Sequence, residues 1–124
     1  MSQIDDISYM EQALHLAEKG RYSTSPNPAV GCVIVKNRRV IGSGFHQRAG
    51  GPHAEIEAIN SATESCENAT AYITLEPCSH HGKTGPCCEA LIAQRFARIV
   101  YAVMDPNKDV AGKGDRMLRK AGID

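Results

Sequence analysis

The sequence predicts an α/β fold: a three-layer α/β/α sandwich around a mixed sheet of four to five strands, with helices on both faces. Three observations carry this reading. Helical and extended patterns alternate in the order α-β-β-α-β-α-β-α. The run "AVGCVIV" is apolar throughout, as a strand covered on both faces must be. And 124 residues of ordinary globular composition suit one domain, 1–124, with one sizeable core.

The elements follow in order. Ile7, Met10, Ala13, Leu14 and Ala17 recur at helical spacing up to the stop signal Gly20, which predicts a first helix over Asp6 to Lys19. "AVGCVIV" and "RVIGSGFH" flank the turn residues "KNR" and read as an antiparallel hairpin. "GPHAEIEAINSA" reads as a second helix, with Pro52 at the first helical position and Ala54, Ala58 and Ala62 on one face. "AYITLE" is a third strand, and "GPCCEALIAQR" starts a third helix with the same Gly-Pro opening. "RIVYAVM" is a fourth strand, parallel to the third because a helix connects them. "GKGDRMLRKAG" is a short fourth helix, about Lys113 to Ala121, placed to feed a fifth strand. Such a strand would cover the edge of the fourth. Without it, that bare edge predicts self-association or contact with another domain.

Composition excludes several classes. Lys plus Arg, 14, equal Asp plus Glu, 14, so no net field draws in nucleic acid or an anionic membrane. The start "MSQIDDISYM" is acidic and polar, unlike a signal peptide. No apolar run approaches the roughly 20 residues that span a bilayer. Five cysteines is an odd number, and Cys32 lies inside an apolar strand. This fits free or metal-binding thiols in a reducing cytoplasm better than a disulfide framework.

The stretch "EPCSHHGKTGPCC", Glu76 to Cys88, holds three cysteines and two histidines. It could be a disulfide knot, a structural zinc knuckle, a redox pair or a reaction centre. Position favours the last. Cys78 follows the end of the third strand and Cys87 opens the third helix, while His53 opens the second. Strand ends and helix starts on one edge of an α/β sheet are where sites form. A helix start favours thiolate over thiol, and a thiolate is what a metal needs. His53, Cys78 and Cys87 would supply one imidazole and two thiolates to Zn²⁺, leaving a fourth position open, as in catalytic sites. A structural site, closed by His80, His81 or Cys88, is the competing reading. Two thiolates cancel the metal's formal charge, so an attacking water would want a general base nearby. Glu55 is the candidate. Glu57 is its rival, because i and i+4 share a helix face and would pair Glu57 with His53.

The pattern H-x-E … P-C … C is that of the zinc-dependent nucleobase deaminases. Here it reads "HAE" at His53 to Glu55, "PC" at Pro77 and Cys78, then Cys87. The common form is P-C-x-x-C, whereas the eight residues "SHHGKTGP" separate these cysteines. With "SPNPAVGCVIV", "GFHQRAGGPHAE" and "DPNKDVAGKG", the chain resembles the deaminase domain of the bifunctional riboflavin-biosynthesis deaminase/reductases, from about Tyr9 onward.

The resemblance implies a cytidine deaminase-like fold and one Zn²⁺ per chain on His53, Cys78 and Cys87, with Glu55 as proton carrier. It implies a substrate, 2,5-diamino-6-ribosylamino-4(3H)-pyrimidinone 5′-phosphate, whose 2-amino group is replaced by water with release of ammonia. It matches Asn27, His46, Lys83, Asp105 and Asn107 to substrate-site positions. Lys83 could serve either the phosphate or the ring. The family's reductase domain, which uses NADPH, has no counterpart in these residues, so a contact with it is one expected use of the fourth strand's edge. Two other readings stand beside this one: a tRNA or free-nucleobase deaminase, and a non-enzymatic zinc-binding module.

Overall fold

The computed structural model describes residues 3–19, 30–46, 53–75 and 87–103. Helix α1 spans Gln3–Lys19, strands β1 and β2 span Gly31–Lys36 and Arg39–Phe45, and α2 spans Ala54–Ser61. Strand β3 spans Thr70–Leu75, α3 spans Cys87–Ala93, and β4 spans Arg98–Val103. The expected fourth helix and fifth strand lie outside the described residues. Among the described residues no helix is long and apolar enough to cross a membrane.

The strands form one mixed sheet in the order β2-β1-β3-β4. β1 pairs antiparallel with both β2 and β3, and β3 pairs parallel with β4. β1 is therefore central, and its side chains divide by parity. Cys32 and Ile34 face the layer of α2 and α3, with Ile41, Ala54, Ala58, Ala71, Ile73 and Leu91. Val33 and Val35 face α1, with Ala13 and Tyr72. Three layers result, as the sequence implied.

Two-residue turns between antiparallel strands favour positive φ at both positions, and Asn37 and Arg38 have φ of 53° and 63°. Tyr9 donates a hydrogen bond from its hydroxyl to the Arg38 carbonyl, 3.2 Å away, which ties α1 to this tip. Near the other end of α1, Gly31 lies so close beneath Ala13 and Ala17 that a Cβ would run into the Ala13 carbonyl.

The buried face of α1 differs from the expected one. Ile7 and Leu14 are 54% and 47% exposed. Tyr9, Met10 and Leu16 pack instead, around Ala13. Spacing of three and four residues fits more than one stripe, and Leu14 lies about 100° round the helix from Ala13. The helix also begins three residues earlier than expected, with Asp5 and Asp6 in a first turn that suits acidic side chains.

Candidate active site

One end of the sheet gathers the chemistry. Antiparallel register places Gly31 of β1 opposite Phe45 of β2. The Gly31 amide donates to Thr74 Oγ1 of β3 at 3.1 Å, which joins the start of β1 to the end of β3. Leu75 of β3 pairs with Val103 of β4 in parallel register. The connection from β3 through α3 to a parallel neighbour requires α3 to start at this same end. Val30, His46, Leu75, Cys87 and Val103 thus share one edge of the fold.

Helix α2 begins two residues later than its Gly-Pro opening suggests. Pro52 is not its first residue; Ala54 is. His53 is the N-cap, with extended backbone at φ −73° and ψ 165°, and its carbonyl accepts the first helical bond from Glu57 N at 3.0 Å. The ring of His53 does not cap its own helix.

This placement bears on the choice between the two glutamates. The rule that i pairs with i+4 holds between two residues inside a helix. His53 has non-helical dihedrals, so its side chain is not committed to the face of Glu57. Glu55, the second helical residue, is 4% exposed, whereas Glu57 is only half-buried. A carboxylate buried in the opening turn sits where free N–H groups and the helix dipole suit an anion.

Beneath this turn lies Cys32, fully buried in β1. Burial pushes its thiol well above the ordinary range, and the Glu55 carboxylate and then Cys66 push it further the same way. Cys32 is therefore held as a neutral thiol, unlike a metal-binding thiolate. Cys66 lies in the connection after α2 but is buried in the same cluster, so it too is a core residue rather than an exposed loop one.

His46 follows the last residue of β2. It is 3% exposed, and its backbone amide donates to the Val30 carbonyl at 3.0 Å. Its ring meets that of His53 edge to face, with centroids 5.2 Å apart.

The structure therefore brings together His46, His53 and Glu55, and sets Cys87 at the first position of α3. The side chain of Cys87, and Cys78, Asn27, Lys83, Asp105 and Asn107 entirely, lie outside the described residues. Among the described residues no three metal-binding side chains form a group. Those that are placed fit a zinc site in kind: a histidine on a helix cap, and a cysteine at a helix start on the same edge. Sequence reasoning passed over Thr74 and the small residues under α2. The glycines at alternate positions of β2, Gly42 and Gly44, were the available signal, because glycine inside a strand often marks a close backbone approach.

Comparison with known proteins shows the family. Residues 3–103 match the family described as the cytidine and deoxycytidylate deaminase zinc-binding region. The chain is 58% identical over 121 residues to the riboflavin biosynthesis protein RibD of Escherichia coli, covering 98% of this chain and 33% of that one. It is 51% identical to the diaminohydroxyphosphoribosylamino-pyrimidine deaminase of Buchnera aphidicola from Schizaphis graminum, covering 95% of this chain and 80% of that one. Among solved structures, RibD of Acinetobacter baumannii superposes with a TM-score of 0.96 at 53% identity, covering 98% of this chain and 34% of that one. The chain thus spans about a third of the length of its RibD relatives.

Proposed function

The chain belongs to the cytidine and deoxycytidylate deaminase zinc-binding family, and within it to the pyrimidine deaminases of riboflavin biosynthesis; from that premise we propose that it hydrolytically deaminates 2,5-diamino-6-ribosylamino-4(3H)-pyrimidinone 5′-phosphate to 5-amino-6-(5-phosphoribosylamino)uracil, with Glu55 as proton carrier. The observation that carries the assignment of roles is the opening of α2, with His53 as N-cap and Glu55 buried at the second helical position.

In this reading His53, Cys78 and Cys87 hold Zn²⁺, which when bound would acidify a water and supply the nucleophile near neutral pH. Glu55 accepts the proton of that water as its oxygen bonds to the ring carbon bearing the amine. Glu55 gives that proton to the ring nitrogen, then takes the second proton from the hydroxyl now on the carbon and passes it to the amine. The carbon–nitrogen bond breaks, and ammonia leaves. The burial of Glu55 keeps bulk water from exchanging those protons. Cys32, held neutral below it, adds no competing nucleophile.

His46 closes the side of the site next to His53 and contacts substrate. Asn27, Lys83, Asp105 and Asn107 complete the substrate site, with Lys83 serving phosphate or ring. In this reading the unit works beside a reductase domain using NADPH, by contact with that domain or with a second copy of itself. A soluble, cytoplasmic setting suits its free thiols.

The test is stoichiometric ammonia release from the pathway pyrimidine, with cytidine and guanine as controls. Release from the pyrimidine alone is expected. Release from cytidine or guanine, and none from the pyrimidine, would assign the site to another nucleobase. Zinc binding with no release from any of them would leave a metal-binding module.

A further inference from the structure

Helix α2 rests on β2 through glycines. A Cβ on Gly44 would lie 2.6 Å from Ala58 N, 2.6 Å from Glu57 Cβ and 2.9 Å from Ala54 O, whereas ordinary contact begins at 3.4 Å. Ala58 N and Ala54 O are the donor and acceptor of the second helical bond, the one after Glu57 N to His53 O. None of the three atoms is the far end of a flexible side chain, so none can swing aside. The strand cannot yield either. Gly44 pairs across the ladder with Cys32, which is fully buried. Any side chain at Gly44 must therefore shift the opening of α2, because real Cβ atoms essentially never make contacts under 3.0 Å.

Gly42 has a different neighbourhood. A Cβ there would meet Ala58 O at 2.5 Å, then Ala62 Cα at 3.2 Å and Ala62 Cβ at 3.3 Å, towards the far end of the helix. The two glycines seat α2 along its length, and Gly44 alone lies under the turn that carries Glu55 and follows His53.

We propose that Gly44 is a positioning residue for the deamination: its bare Cα sets the depth at which the opening turn of α2 presents His53 and Glu55. The inference rests on the roles given above to His53 and Glu55. It adds that their alignment is fixed from the strand beneath them, at a residue that touches neither substrate nor metal. A reacting group displaced by about 1 Å can cost roughly 10²-fold in rate.

The experiment compares wild type, Gly44→Ala, Ala58→Ser and Val33→Ala. Each is measured for folded content and melting temperature, for zinc affinity by chelator competition, and for kcat and KM on the pathway pyrimidine at saturating zinc. Gly44→Ala is expected to lower kcat roughly 10²-fold and to weaken zinc binding about tenfold, with KM less affected. Val33→Ala trims the opposite face of the sheet, against α1. It should lower the melting temperature while keeping kcat and zinc affinity. Folded Gly44→Ala with wild-type kcat and zinc affinity would overturn the proposal, as would an equal loss in Val33→Ala. Where Gly44→Ala does not accumulate as folded protein, Ala58→Ser adds one atom to the buried face of α2 that packs on the sheet, and the same readings decide. Failure of the functional reading looks different: wild type itself would neither hold zinc nor release ammonia, and the inference would fall with it.

Discussion

The ring of His46 stands edge to face against the ring of His53, centroids 5.2 Å apart and planes at 88°. This spacing lies within the favourable range for ring pairs. His46 is itself fixed, buried at the end of β2 with its amide on the Val30 carbonyl. It can therefore hold the rotamer of the histidine proposed to bind zinc. His46→Ala should weaken zinc binding roughly tenfold. His46→Phe keeps a ring in place, and should keep zinc while lowering turnover by removing the polar contact with substrate proposed for His46. Chelator competition alongside steady-state kinetics separates the two effects. Zinc loss in His46→Phe as large as in His46→Ala would show that ring contact is not what orients His53.

The cysteines should divide by metal dependence. Cys78→Ser or Cys87→Ser should empty the site of zinc, while Cys32→Ala should keep one zinc per chain, because Cys32 is a buried neutral thiol facing α2. Elemental analysis of the purified variants reads this directly. Full zinc in either serine variant would remove that cysteine from the ligand set.

A clamp away from the site predicts how stability depends on pH. Arg98 of β4 donates from both terminal nitrogens to the two carboxylate oxygens of Asp6, each at 2.9 Å, and the Tyr72 hydroxyl donates to Asp6 Oδ1 at 2.6 Å. Arg98 foremost, then Tyr72, holds the Asp6 carboxyl below its ordinary value of 3.8, against an opposing push from burial. Burial, reinforced by Asp6, raises the Tyr72 phenol above the tyrosine range, so it stays a donor. A carboxyl lowered on folding stabilises the fold fully above its unfolded pKa, and this contribution fades as pH falls through the folded one. Asp6→Asn should therefore cost about 1–2 kcal/mol at pH 7, and the gap from wild type should narrow as pH falls below 3.8. Thermal melts of both proteins from pH 7 down to pH 3 check this. A gap that stays constant over that range would show that the ion pair contributes nothing.

The sheet was legible because its signals are local. An unbroken apolar run made β1 central, a short polar turn made the hairpin, and the helix between β3 and β4 made them parallel. The face of α1 was not, since one periodicity fits two stripes until Tyr9 and Leu16 find partners on the sheet. The site was legible in residue types and in chain order. Its alignment was not: whether His53 is a cap or a helical residue turns on one pair of dihedral angles, and helical spacing alone would have favoured Glu57. Gly44 went unread for a related reason, because what presses on a glycine is set by tertiary packing.

The central claim is that the carboxylate carrying protons in this site is Glu55, buried at the second position of α2, and not Glu57. The measurement is single-turnover ammonia release from the pathway pyrimidine by Glu55→Gln and Glu57→Gln, each first shown to hold a full complement of zinc and to melt as wild type does. Glu55→Gln should be slowed at least 10²- to 10⁴-fold, the range for loss of a general acid–base group. Glu57→Gln should remain within about threefold of wild type, as a partly solvated helix charge should. A dead Glu57→Gln beside an active Glu55→Gln would contradict the account.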